Sequence, residues 1–355
     1  MRSTVRLQPE GCLDIAPRIP SALPTLMVLR RLFVQRVAVT CALSLLVLGV
    51  PRVAAAQYRF NTRVGRVTNG LYLRSATAIR VNPLGLFSEF RLGYRHRIFD
   101  RPGNPLLLRN TYWAAAASLT ASPGMVRSGV AVEVAPLAVL TLSAVFERVQ
   151  WLGTFNFVQS FASANEPFSD AAIRERARVD PASVEAAGGW LVNLNAVLQA
   201  KVGDIAVRNS TRGIWNSLSL RDQRPVFYDS FQDVLAPNNG WVFSDDFDLI
   251  YQDSELGLNI GARLSAVVPL YATASWGADG VPFAGQGADN APTVRLGPLV
   301  SYTFRERRHS FFNAPTVFVL AQWWLTHRYR TGGCDECTPQ GLPMIVLGFA
   351  FRGDS

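Results

Sequence analysis

Between residues 86 and 98 the chain alternates in polarity. Leu86, Ser88, Phe90, Leu92, Tyr94, His96 and Ile98 share one parity; Phe87, Glu89, Arg91, Gly93, Arg95 and Arg97 share the other. Successive side chains of a strand point to opposite faces, so this segment requires an oily medium on one side and a wet one on the other. Residues 190–202 repeat the pattern, with Trp190, Val192, Leu194, Ala196 and Leu198 opposing Asn193, Asn195, Gln199 and Lys201. Residues 256–268 do so again, with Leu256, Leu258, Ile260, Leu264 and Val268 against Gly257, Asn259, Arg263 and Ser265. Strands of soluble sandwiches are usually only about five or six residues long. Runs of about ten or more, with small and charged residues on one parity, are what a transmembrane β-barrel requires, because its lumen is polar and its lipid face apolar.

The N-terminus reads as a secretory signal. Arg30, Arg31 and Arg36 form a basic region, Val37 to Val50 an apolar one, and Ala54, Ala55 and Ala56 a small-residue cleavage site before Gln57. Pro51 and Arg52 end the apolar run short of the roughly 20 residues a membrane-spanning helix needs. The expected organisation is therefore 1–56 as N-terminal extension and signal peptide, with a true start at Met27 as an option, and 57–355 as the barrel. An unfolded barrel precursor suits the Sec route, and the expected location is the outer membrane.

The formal charge of +9 overstates the basicity of that second part. Residues 1–56 hold seven Arg against two acids, which leaves 28 basic and 24 acidic residues beyond them. With no Lys/Arg-rich run, nucleic acid is not an expected partner. Hydrophobic residues make up 49% of the chain. No apolar stretch of about 18 residues follows residue 56, which excludes a helical membrane protein and leaves room for a barrel. Cys334 and Cys337 form a lone C-x-x-C without the second pair a zinc site needs, and are read as a disulfide at a loop tip.

Following the alternation gives about twelve strands, near 71–81, 86–98, 106–119, 125–135, 138–151, 189–202, 205–219, 255–268, 270–277, 292–305, 314–329 and 343–351: an all-β, antiparallel, up-and-down barrel. Leu152–Gly188, Arg221–Ser254, Ala278–Ala291 and Thr331–Pro343 are long connections that fall at one end if directions alternate. Short ones such as Gly203 with Asp204 and Pro269 with Leu270 fall at the other. Barrels of the outer membrane have short periplasmic turns and longer extracellular loops. In the first long loop, Ser169 or Asp170 can cap a helix from Ala171 to Arg178, placed as a lid. Both Leu152–Gly188 and Arg221–Ser254 are expected to cover or enter the outer mouth. The seven Asp of Arg221–Ser254 lack the spacing of a calcium loop and read as a solvated acidic loop. Trp151, Trp190 and Trp276 are expected in an aromatic girdle at the outer water–lipid boundary.

The last strand carries Ile345, Leu347, Phe349 and Phe351 on one parity. With the alternation, the loop asymmetry and the aromatic placement, it resembles Gram-negative outer-membrane β-barrels as a class, over about residues 57–355. The resemblance implies outer-membrane lipid, lipopolysaccharide and the barrel-assembly machinery as partners. The Arg352, Gly353, Asp354, Ser355 tail departs from it and is read as a periplasmic end.

Catalytic chemistry has few candidates. His96 and His327 fall on the apolar outer parity and His309 in a turn, so no imidazole base shares a pocket with a nucleophile. No phosphate loop, cofactor fingerprint or metal cluster is present in the sequence, and neither enzymatic activity nor a cofactor is expected. The less apolar parity places Arg74, Arg80, Arg91, Arg95, Arg97, Arg127, Lys201, Arg263 and Arg295 inward with Glu89, Glu133 and Glu147. Rings of basic groups favour anions in a pore. Inward Arg and Glu also pair across strands to fill a narrow barrel, and at twelve strands both arrangements fit. The leading expectation is a channel or transporter for small solutes with modest anion preference. The alternatives are a non-conducting structural or surface-interaction barrel and, last, an outer-membrane hydrolase.

Overall fold

A computed structural model describes residues 69–99, 106–108, 110–155, 158–279, 292–304, 312–332 and 338–354. The signal region, His309, Cys334 and Cys337 lie outside these, and so does the proposed disulfide.

The strands are β1 (Gly70–Val81), β2 (Gly85–Arg97), β3 (Tyr112–Ser122), β4 (Met125–Leu137), β5 (Leu140–Trp151) and β6 (Ser160–Phe161); helix α1 (Asp170–Val179) follows. Then come β7 (Gly188–Val202), β8 (Ile205–Leu218), β9 (Val226–Asp229), β10 (Val234–Pro237), β11 (Gly240–Asp253), β12 (Leu258–Pro269), β13 (Thr293–Thr303), β14 (Asn313–Thr326) and β15 (Met344–Asp354). All but β6, β9 and β10 form one closed, twelve-stranded antiparallel barrel, and those three form a separate small sheet. Closure is made by β1 against β15, from Tyr72 opposite Asp354 to Val81 opposite Ile345. The Arg352–Asp354 segment is thus paired sheet rather than a loose tail. Closure leaves no strand edge unpaired, the condition for crossing a bilayer with strands.

The expected total of twelve holds through two compensating differences. Residues 270–277 form no strand: they run into a 3-10 segment, Thr273–Asp279. The missing strand is β11, inside the stretch read as an acidic loop. Its alternation was visible in Trp241, Phe243, Phe247, Leu249 and Tyr251, but Asp245 breaks the apolar parity and the run of Asp masked the period. Consequently 254–257 is a short turn, and Pro269 with Leu270 lies at the opposite end from the one expected. The third strand begins at Tyr112 rather than 106, behind a short 3-10 turn at Leu106–Leu108.

The strand ends that flank 152–187, 219–239, 270–292 and 327–343 lie at one end of the barrel, with the tight turns 82–84 and 123–124. Connections 138–139, 203–204 and 254–257 share the other, where β1 begins and β15 finishes. The barrel's outer face carries the apolar parity: Phe90, Leu92 and Tyr94 on β2, Leu249 and Tyr251 on β11, and Leu347 on β15 are each 40% exposed or more. An apolar belt of that extent needs a nonaqueous neighbour. No helix among the described residues is long and apolar enough to span a membrane.

Inside, small residues make room for large ones. An added Cβ at Gly348 on β15 would lie 2.1 Å from the Phe318 ring of β14, so the glycine is the seat on which that ring rests. Ala114, Ala116, Ala131 and Ala135 line one wall with Tyr72, Tyr112 and Val145.

Candidate functional site: a polar lumen beneath a loop plug

At the long-loop end the barrel is filled by its own chain. Successive side chains of the β9–β10 hairpin point to opposite faces, and both faces are buried. Phe227, Val234 and Ala236 pack on barrel residues Met125, Val149, Trp151, Leu218, Val242 and Val267. Val226, Tyr228 and Leu235 pack on Phe161, on Ile173 of α1 and on Trp276. Strand β6 extends the hairpin through Ser160 opposite Phe227. Each fully buried Phe, Leu or Val contributes about 1.5–3 kcal/mol, so the hairpin is held as a core element. Ser169 caps α1 as expected, accepting from the Ala172 N–H at 3.0 Å.

Trp151 and Trp276 therefore sit in the plug, 5% and 6% exposed, and not in an outer girdle; Trp190 alone of the three faces outward, at 42%. Trp151 shares the inward parity of Glu147 and Val149 on β5, so the strand's own alternation already turned it into the barrel, and the girdle expectation followed its place next to a long loop instead.

The hairpin tip crosses the lumen. Its base rests against β8, β11 and β12, whereas Phe231 at the tip lies 5.9 Å from the Phe87 ring of β2 and 6.2 Å from the Trp151 ring of β5. The Arg127 guanidinium of β4 lies over Phe231 at 5.7 Å. Arg80, next to the end of β1, donates to the carbonyls of Phe231 (2.8 Å), Ser230 and Pro83 (3.0 Å). In the barrel order β8 and β11 stand across from β1 and β2, so the plug spans the diameter.

A second anchor ties the tip to the 327–343 loop. Arg330 donates to both carboxylate oxygens of Asp233 and both of Asp170. The Tyr228 hydroxyl donates to Asp233 at 2.8 Å. Burial by itself would raise the Asp233 carboxyl; His327 and Arg330, each hydrogen-bonded to it, overcome that and hold it well below the usual carboxylate range. Burial raises Asp229, against two backbone N–H donors from Phe231 and Gln232. Burial also pushes the Tyr228 hydroxyl well up.

His327 does not face outward as its parity implied: strand β14 ends at Thr326 and the imidazole turns into this cluster. Its Nδ1 accepts from the Tyr329 N–H at 2.9 Å, which leaves the proton on Nε2, directed at the Asp233 carbonyl at 2.9 Å. Both nitrogens are occupied, and the ring has no lone pair left for base chemistry. His96 does lie on the exposed face, 5.9 Å from the Trp113 ring.

Beneath the plug the lumen is polar. A cavity of about 410 Å³ is lined by Arg74, Glu89, Arg91, Glu133, Arg208 and Arg352, among others. A second, of about 310 Å³, adds Arg212, Asp246 and Arg263. The two share Glu89, Arg91, Ser143, Asn195 and Arg208, so they adjoin.

The residues assigned inward from parity occupy this lumen in different ways. Arg74 meets Glu133 with two bonds of 2.9 and 3.0 Å, and Tyr112 donates to the same carboxylate. Arg95 lies between the rings of Tyr72 and Tyr112, at 5.2 and 5.6 Å. Arg91 pairs with Glu89 at 2.7 Å, and Arg127 approaches Glu147 at 3.8 Å while Ser118 donates to it at 2.7 Å. Lys201 donates to Gln252 at 2.7 Å, and Arg295 points at the Met344 sulfur at 3.0 Å. Arg97 lies at the opposite end, where its N–H donates to Asn69. Arg80 belongs to the plug.

Five lumen residues escaped the sequence reading. Asp246 accepts from Arg212 at 2.6 Å, and Asp248 takes two bonds from Arg263, 2.6 and 2.9 Å, and one from Arg208 at 3.5 Å. Arg352 lines the larger cavity. Parity already turned Arg208 and Arg212 inward on a recognised strand; the two acids were hidden with β11. The lumen is thus a lattice of ion pairs, most of them cross-strand, in which Arg outnumbers acid, rather than a ring of bare cations.

No family model matches the chain, and no curated protein does. Solved structures to which it is similar are barrels. The NanC porin has a TM-score of 0.32 at 10% identity over 80% of this chain and 99% of that one. The β-domain of the Bordetella autotransporter Brka has 0.42 at 10% over 81% and 100%. The translocator domain of the autotransporter NalP from Neisseria meningitidis has 0.38 at 10% over 81% and 90%. The assignment to the outer-membrane barrel class rests on the closed register, the apolar exterior and the one-sided long loops, and no narrower family follows.

Proposed function

We propose that this chain is an outer-membrane channel for small solutes, non-enzymatic, whose outer mouth is closed by the β9–β10 plug and whose lumen favours anions modestly. One observation carries the reading: continuous polar space lined by Arg and carboxylates lies directly beneath a loop element that enters from one end. A barrel built only as a scaffold has no use for such space and could fill it with apolar side chains. The basic surplus among the inward residues supports the anion preference, since fixed cations lower the cost of an entering anion. With the long loops outside, lipopolysaccharide and outer-membrane lipid surround the barrel, a Sec signal at 1–56 delivers it, and the assembly machinery inserts it.

A second reading has its own support. The plug is packed like a core and tied down by buried ion pairs, which suits a barrel that never opens and serves as a surface-interaction platform. Reversal potential in a salt gradient separates the two, measured on the reconstituted protein and on Arg330→Ala, in which the plug is loosened. The channel reading expects anion-selective current that becomes less selective in Arg91→Ala and Arg95→Ala. Absence of current from both forms supports the platform.

A further inference from the structure

We infer that the outer wall formed by β5, β7, β8 and β11 is the contact face for a second copy of this chain, related by a two-fold axis along the membrane normal between β7 and β8. The observation is a carboxylate facing the wrong way. On β11 the even positions point into the lumen, as the pairing of Asp246 with Arg212 and of Asp248 with Arg263 shows. Asp245 therefore projects to the lipid side, between Phe243 and Phe247. Two β8 residues of the same outward parity solvate it there: Thr211 donates at 2.5 Å and the Asn209 amide at 3.0 Å to each oxygen. An amide and a hydroxyl supply hydrogen bonds but no counter-charge. Ionisable groups within a membrane are costly and mark functional contacts.

The counter-charge exists on the same wall. Arg148 of β5 also points outward, exposed, with its guanidinium 5.2 Å above the Trp190 ring. On the outward parity of these four strands, Arg148 and Asp245 are the charged groups, apart from Asp253 at the far end of β11. Arg148 lies three residues from the long-loop end of β5 and Asp245 five residues from that end of β11, so both sit in the same half of the wall. Strands β7 and β8 separate them. When two such walls face each other about a two-fold axis between β7 and β8, β5 of one copy lies opposite β11 of the other. Arg148 then meets the second copy's Asp245, twice over, which is the self-complementarity an isologous contact demands. Along the β7–β8 seam the wall is apolar and carries no charge: Ala196 stands opposite Thr211, and the Trp241 and Phe243 rings of β11 lie over Gly213, opposite Leu194.

Complementation tests this directly. The full mature protein is placed in lipid nanodiscs or mild detergent and its mass measured by light scattering, with heat-modifiable gel mobility as the check of folding. The wild type should be a dimer, and Asp245→Arg and Arg148→Asp should each be a monomer. Mixed together, the two variants should form a heterodimer, because each contact then again holds one Arg and one Asp. The doubly swapped protein should dimerise alone. If a charge reversal prevents folding, Asp245→Asn and Arg148→Gln serve instead, each weakening the dimer at least tenfold. A monomeric wild type, or a dimer indifferent to every variant, overturns the inference and leaves Asp245 as a carboxylate satisfied within its own barrel.

Discussion

Arg330 holds Asp233 by two parallel hydrogen bonds, Nε to Oδ2 at 2.7 Å and Nη2 to Oδ1 at 3.1 Å, and the side chains are only 3% and 1% exposed. Breaking a buried pair of this kind by removing one partner costs about 3–5 kcal/mol, because the other charge stays behind. Arg330→Ala and Asp233→Asn should therefore each free the plug tip without disrupting the barrel, whose strands do not depend on it. The expected result is faster hydrogen exchange at Tyr228–Leu235 with unchanged heat-modifiable mobility.

The same pair sets a pH dependence. Asp233 is held below its ordinary value, so its stabilising effect is complete above the unfolded carboxylate pKa of about 3.9 and is lost only as pH falls through the lower, folded value. The plug should stay shut from neutral pH down to about 4 and loosen only in stronger acid. Exchange at the hairpin followed against pH should show that late release in the wild type. Asp233→Asn should show release already at neutral pH.

Within the lumen, Asp248 balances Arg263 and Arg208. Asp248→Asn leaves both cations without their carboxylate and should cost about 3 kcal/mol in unfolding free energy. It should also raise anion selectivity in any conducting form. Chemical denaturation in lipid and reversal potential read the two effects separately.

Gly348 and Phe318 form a packing pair rather than two independent sites. Gly348→Ala should destabilise by about 1–3 kcal/mol through overpacking. In a Phe318→Ala background the same change should cost far less, a non-additivity that a double-mutant cycle measures.

Most of the barrel was legible because its two solvents differ so sharply. Where one parity met lipid and the other water, as in Leu86–Ile98 or Trp190–Val202, period two was unmistakable. It failed where that contrast weakened. Strand β11 carries Asp245 on its lipid face, and the hairpin Val226–Pro237 is buried on both sides, so neither shows a clean alternation. The inward Arg and Glu could be placed by parity, yet their pairing could not, because partners such as Arg74 and Glu133 lie 59 residues apart and meet only through register. Trp151 was legible from parity, since it shares the inward side of β5 with Glu147; what parity does not say is whether the loop beside it folds outward or back inside.

Planar-bilayer conductance tests the central claim most directly, that a polar lumen is closed by the β9–β10 hairpin. Wild-type protein should show a mostly closed state with brief openings. A variant in which residues 225–238 are replaced by a short Gly-Ser turn should conduct steadily and with anion preference. A shortened variant that keeps its heat-modifiable barrel and still passes no current would contradict the account.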